Sequence, residues 1–234
     1  MRDFRVIVFI SFTLCCLMVA FFLPPISQDP AYHHFADTRM MFGIPNFYNV
    51  VSNIPFLIIG IGGLYIFLKD ETISFSSLPG FILFTGVTLV GLGSGYYHWR
   101  PTNASLVWDR IPMTITFMSF FAIVVGRYVN KQWGTSVLIP LVAIGVSSVL
   151  YWYFGEQQGR GDLRLYALIQ FYPMMAIPLI IFLFPTPRLV RLEIIVVIML
   201  YAVAKFFEHN DLTVSGHLAS AVIPLSICLR RRLH

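Results

Sequence analysis

Charge is scarce in this sequence. Only 12% of its 234 residues are Asp, Glu, Lys or Arg, against about 25% in an ordinary soluble domain. Cysteine is scarcer, with three in the chain. Cys15, Cys16 and Cys228 all lie in apolar stretches, which argues against a disulfide framework or a thiolate metal site and leaves them as small packing residues. Internal repeats and low-complexity tracts are missing too, and no polar stretch is long enough to fold as a soluble domain. What fills the chain is apolar: 57% of residues are hydrophobic, and the mean hydropathy is +0.76. A bilayer, not an aqueous core, organises such a composition. The net charge of +5 therefore reads as basic loop residues on the cytoplasmic side and not as a nucleic-acid surface.

Eight apolar segments stand out, at 6–23, 47–68, 79–98, 111–126, 135–154, 166–184, 190–206 and 214–229. Most approach the roughly 20 residues that cross a hydrocarbon core. The expectation is an all-α polytopic membrane bundle, a single membrane domain with about eight transmembrane helices. The connection 24–46 carries Pro24, Pro25, Pro30 and Pro45, so it is not one helix. Residues 1–24 read as an N-terminal anchor helix, with a cleaved signal peptide as the alternative, because Arg2 and Arg5 precede the run Val6–Leu23. With the N-terminus inside, ten Lys and Arg fall on inner loops and six on the outer side. Arg230, Arg231 and Arg232 then anchor a cytoplasmic C-terminus. A multi-pass protein of a bacterial inner membrane, with both termini cytoplasmic, is the reading that follows.

That topology gathers the polar residues on one side. His98 ends the third segment, Asp109 precedes the fourth, and Glu208, His209, Asp211 and His217 cluster between the last two. Asp37 and Asn46 lie in the long outer connection. Ionisable groups at membrane depth are expensive and tend to mark function or polar pairing. In the stretch Gly91 to Pro101, Ser94 and His98 are four apart and share a helix face. Gly91, Gly93 and Gly95 leave room for a neighbouring helix. Asp109 follows His98 by eleven residues, and a tight turn at Pro101 and Asn103 returns it to the same depth. A Ser–His–Asp triad fits poorly, since a nucleophilic serine needs an exposed sharp turn and Ser94 lies inside a helix. A zinc site fits better, with imidazole on the metal, a carboxylate near its water and serine behind. A purely structural polar network between helices is the third reading.

Three stretches resemble one known family. Asn46-Phe-Tyr-Asn-Val-Val-Ser-Asn-Ile-Pro55 resembles the first core helix of the alkaline ceramidases, the pair Ser94 and His98 followed by Asp109 resembles their Ser–His–Asp spacing, and Ser215-Gly-His217 resembles the start of their last-helix motif. The chain is similar to the short bacterial members of that family. The family sits in a wider group of seven-helix membrane hydrolases that includes the adiponectin/progestin-type receptors. The resemblance implies a seven-helix core over 35–230 plus one N-terminal helix. It also implies a zinc-dependent hydrolase that cuts the amide of N-acyl sphingoid lipids to a sphingoid base and a fatty acid. Carried over, His98 and His217 are zinc ligands, Asp109 orients or deprotonates the attacking water, and Ser94 supports the site. The family's further histidine falls at Ala221, so the third ligand is His209 or Asp211. Some members also bind calcium ahead of the first core helix, where this chain has Asp37 and Asn46.

The expected partner is a membrane lipid substrate reaching a site towards the outer face, with no nucleic acid. The rival reading is a receptor-like or catalytically impaired relative, for which Ala221 is the argument. A transporter is a weaker third, because transporters favour repeated halves and midplane sites.

Overall fold

The computed structural model describes residues 2–69 and 77–210. The eighth apolar segment, 214–229, lies outside the described residues, as do Asp211, His217 and Ala221. The described chain is helical, in the order α1 (Arg2–Phe22), α2 (Phe47–Val51), α3 (Ile54–Lys69), α4 (Leu78–Trp99), α5 (Asn103–Val124), α6 (Lys131–Gln157), α7 (Arg164–Leu183) and α8 (Arg188–His209). A π-helical turn, Val125–Val129, continues α5.

Six spans among the described residues are long and apolar enough to cross a bilayer: Asp3–Phe22, Phe47–Lys69, Leu78–Trp99, Asn103–Val129, Lys131–Gln157 and Arg164–Leu183. The protein is a multi-pass integral membrane protein. The distribution of side chains agrees. Phe4, Phe22, Ile58, Leu68 and Phe182 stand exposed on the bundle surface, while Asp109, Arg110, Thr114, Ser119 and Gln170 are buried inside. That inversion is what a lipid surround selects, since lipid tails welcome apolar side chains and polar groups must find partners between helices.

Two boundaries differ from the sequence reading for physical reasons. The segment 47–68 is broken into α2 and α3. Pro55 has no N–H to continue a helix, and the Asn53 amide instead donates back to the Asn49 carbonyl at 2.8 Å, the local competition typical of asparagine. Helix α5, which carries the fourth apolar segment, starts at Asn103, eight residues before the apolar run at 111. Thr102 caps it: Ser105 N–H donates to Thr102 Oγ1 at 3.1 Å, and Thr102 N–H donates to Ser105 Oγ at 3.0 Å. This capping box satisfies two orphan donors of the first turn and places Asp109 two turns inside a helix.

The pair α4 and α5 forms the closest helix interface, with α3 behind α4 and α6 behind α5. Gly93 sets the spacing, because a Cβ there would fall on the Trp108 carbonyl oxygen. That carbonyl belongs to the residue four before Pro112, which has no N–H to bond it. Gly91 faces Leu57 of α3. Gly95, expected to admit a neighbouring helix, has nothing near its Cβ position among the described residues.

The 24–46 connection forms a strap over one end of the bundle. Leu163 N–H donates to the Ile26 carbonyl at 2.8 Å, tying the strap to the turn between α6 and α7. Asp29 then caps a short 3-10 turn, Pro30–His33, by accepting from Ala31 N–H at 2.8 Å. Further on, Met41 and Ile44 exchange backbone hydrogen bonds around Phe42 and Gly43, both at positive φ (53° and 77°). Such a reversal suits glycine but not phenylalanine.

Candidate active site

The strap end of the bundle carries the site, and α4 and α5 build its floor. Ser94, one turn before His98 on α4, hydrogen-bonds to Asp109 of α5. Asp109 is only 7% exposed. Three charged side chains act on it: Glu208 and Lys205 of α8, and its own neighbour Arg110. His98 closes the last turn of α4. Asn46, in the left-handed conformation, donates Nδ2–H to the His98 carbonyl at 2.8 Å, so the strap fixes the end of that helix. The His98 ring lies between two aromatic rings, 4.7 Å from Phe35 of the strap and 5.2 Å from Tyr97.

Above this floor the strap and α8 meet. Tyr97, 2% exposed, donates to the Tyr32 carbonyl at 3.2 Å. His33 bridges two helices, with Nδ1 3.0 Å from the Tyr97 hydroxyl and Nε2 2.9 Å from Asn103 Oδ1. The Tyr32 phenol donates to Glu208 Oε1 at 2.8 Å, and Lys205 Nζ donates to the same oxygen at 2.7 Å. Burial, and then the Glu208 carboxylate, hold that phenol well above the ordinary phenol range, so it remains the donor in this bond.

The sequence-derived site residues separate into three groups. Ser94 and Asp109 meet between α4 and α5, and His98 stands one turn beyond Ser94 at the end of α4. His209 is the final residue of α8, while Asp211 and His217 lie outside the described residues. Among the described residues, no group of three or more His, Cys, Asp or Glu is placed to hold a metal. The donor types present, an imidazole in the last turn of α4 and a buried carboxylate on α5, are ones zinc accepts.

Asp37 and Asn46, the residues named for calcium, each have partners in the strap or at the end of α4. Asp37 Oδ1 takes Arg39 Nε at 2.6 Å, its Oδ2 takes Tyr48 N–H at 2.9 Å, and the Asn46 amide goes to His98. Calcium takes six or more converging oxygens, and both Asp37 oxygens accept hydrogen bonds within the strap region. Burial raises the Asp37 pKa, but hydrogen bonds from Arg39 and the Tyr48 amide outweigh it and hold the carboxyl below the usual aspartate range.

The family profile described as Ceramidase matches residues 39–223. The chain belongs to the ceramidase family. No curated protein and no solved structure gives a match. As a ceramidase-family member the protein is a hydrolase acting on ceramide-like lipids. The matched stretch takes in Ser94, His98 and Asp109, and it begins inside the strap.

Four residues of the site end were not singled out from the sequence: Tyr32, His33, Tyr97 and Arg110. Arg110, one of the six basic residues that the sequence puts on the outer side, sits inside α5 at 5% exposure. Its position next to Asp109 at membrane depth was the available signal. Tyr32 and His33 gave none, since their role depends on where the strap lands.

Proposed function

We propose that this ceramidase-family protein is a zinc-dependent amide hydrolase, cleaving N-acyl sphingoid lipids into a sphingoid base and a fatty acid. The observation that carries the reading is the hydrogen bond between Ser94 and the buried Asp109, with Ser94 on the helix face that bears His98 and the pair beneath a strap tied to both helices. In this reading His98 and His217 hold the metal, with His209 or Asp211 as third ligand in place of the histidine lost at Ala221. A bound zinc polarises the amide carbonyl and lowers the pKa of its water.

The protein's own groups do the rest. Asp109 accepts the proton of the attacking water and returns it to the departing amine nitrogen, so the C–N bond breaks as a C–O bond forms. The Ser94 hydrogen bond fixes the Asp109 carboxyl against rotation. The Phe35 and Tyr97 rings pack against the His98 imidazole and help orient it.

The bundle has eight spans in this proposal: a 1–24 anchor and a 35–230 core in which α8 and the 214–229 segment complete seven helices. Both termini are cytoplasmic and the site faces outward, level with the outer leaflet, so that a lipid enters sideways.

Zinc analysis of the purified protein and of His98→Ala, alongside turnover of a labelled N-acyl sphingosine, tests the reading. About one zinc per chain that falls with the substitution, together with release of labelled fatty acid, is expected. Absence of zinc from the active unmodified protein would sink the metal role. Zinc without turnover would favour a receptor-like or impaired relative.

A further inference from the structure

Arg110 is a buried cation that the reaction so far leaves without a task. It is 5% exposed, and its guanidinium is enclosed by rings: Trp152 at 4.2 Å, Tyr166 at 4.7 Å and Tyr32 at 5.7 Å from their centroids. Nη2 donates to Gln28 Oε1 of the strap at 2.7 Å. Nη1 is fully buried and has no hydrogen-bond partner among the described residues. Among the described residues the acid–base pairs within contact distance are Arg39–Asp37, Arg164–Asp162 and Lys205–Glu208. Arg110 is not in that set.

Rings and one neutral amide compensate a desolvated guanidinium only in part. Cation–π contacts are modest individually, and a buried charge ordinarily requires a hydrogen-bonded partner of opposite sign. Arginine is also the side chain best shaped to receive a planar oxyanion, through its fork of N–H groups. Its surroundings join it to the site. Arg110 is the residue after Asp109 and acts on it electrostatically. Tyr32, the ring on one side of the guanidinium, also stacks on Tyr97 at 6.3 Å and bonds Glu208.

The reaction supplies a suitable anion. Amide hydrolysis turns a neutral substrate into a carboxylate, so a fixed cation distinguishes product acid from substrate. We propose that Arg110 is a carboxylate subsite, in which Nη1 receives the carboxylate of the released fatty acid while Gln28 and the aromatic cage hold the guanidinium in place. The proposal rests on the amide-hydrolase reading.

Binding to purified protein in neutral detergent, with chains of equal length, tests it. The probes are oleate, oleamide, oleyl alcohol and dioleoyl phosphatidate, and the proteins are unmodified, Arg110→Met and Arg110→Lys. Oleate should bind the unmodified protein about tenfold to a hundredfold more tightly than oleamide, the range of a charge-assisted hydrogen bond. Arg110→Met should erase that preference, and Arg110→Lys should keep part of it. Equal binding of oleate and oleamide by the unmodified protein overturns the proposal, and so does a preference that survives Arg110→Met. Arg110-dependent binding of phosphatidate that exceeds that of oleate overturns it in favour of an anionic headgroup. Should Arg110→Met fail to fold, the oleate–oleamide comparison on the unmodified protein and on Arg110→Lys still decides. Because binding needs no turnover, oleate preference in a protein that hydrolyses no amide would keep the subsite and sink the hydrolase reading. Turnover without oleate preference would do the reverse.

Discussion

Helices α5 and α7 each run through two interiors of different character. Towards their C-terminal ends, Phe121, Val124, Ile177, Ile180 and Ile181 pack with Phe9 of α1 into a cluster of apolar residues. Towards their N-terminal ends, Leu106, Tyr166 and Trp152 enclose a region that also holds Asp109, Arg110 and Tyr97. The apolar end needs only shape, because dispersion and volume decide its energy. The strap end needs specific partners for each buried polar atom. Damage at the first end should therefore appear as lost stability, and damage at the second as lost chemistry.

Asp109→Asn tests the sharpest form of that contrast. It is isosteric and sits in the polar end, so thermal stability should stay close to that of the unmodified protein while turnover of a labelled N-acyl sphingosine falls by about 10²–10⁴, the usual weight of a general acid–base group. Retained turnover would remove Asp109 from the reaction. Ile177→Ala is the opposite case. The side chain is fully buried in the apolar cluster, and its loss should cost about 2–5 kcal/mol, read as a lower unfolding midpoint. Activity per folded molecule should remain unchanged at low temperature.

Gly93→Ala should blur the distinction. The new methyl collides with the Trp108 carbonyl, and overpacking of this kind costs about 1–3 kcal/mol. Because the same spacing brings Ser94 to Asp109, both unfolding and turnover should suffer, and an effect on only one would show that the interface adapts locally. The smallest effect concerns Asp37. Its folded pKa lies below the unfolded value, so its stabilising contribution is complete above the ordinary aspartate range near ~4 and is lost as pH falls through the folded pKa. Protection of the Tyr48 amide, measured as its exchange rate relative to the unfolded-chain rate at the same pH, should fall in acid, and Asp37→Asn should flatten that dependence.

The legibility of the sequence followed the same division. Ser94 and Asp109 could be brought together, with His98 one turn away on the same helix face, because helix periodicity and one short turn fix them, and local rules suffice for that. Span ends were less readable where polar residues belong to a helix: the stretch from Asn103 to Arg110 looked like a connection, although Thr102 and Ser105 carried the cap. The strap's contacts were out of reach. Asn46 meeting the His98 carbonyl, Gln28 meeting Arg110 and His33 bridging Tyr97 to Asn103 join residues 52, 82 and 64–70 positions apart. No periodicity relates residues at such separations. The partners of Asp37 and Asn46, Tyr48 N–H and the His98 carbonyl, were likewise announced by no local pattern.

The reversal at Phe42 and Gly43 offers a practical handle. Phe42 is 89% exposed, and a side chain at Gly43 would meet nothing within 4 Å among the described residues. The strap is held on either side of this tip, by Asp37 on one flank and Asn46 on the other. An epitope or a single reactive cysteine placed there would ride outside the hydrogen-bonded framework. It would serve as a reporter of sidedness in intact cells while the catalytic end beneath stays untouched.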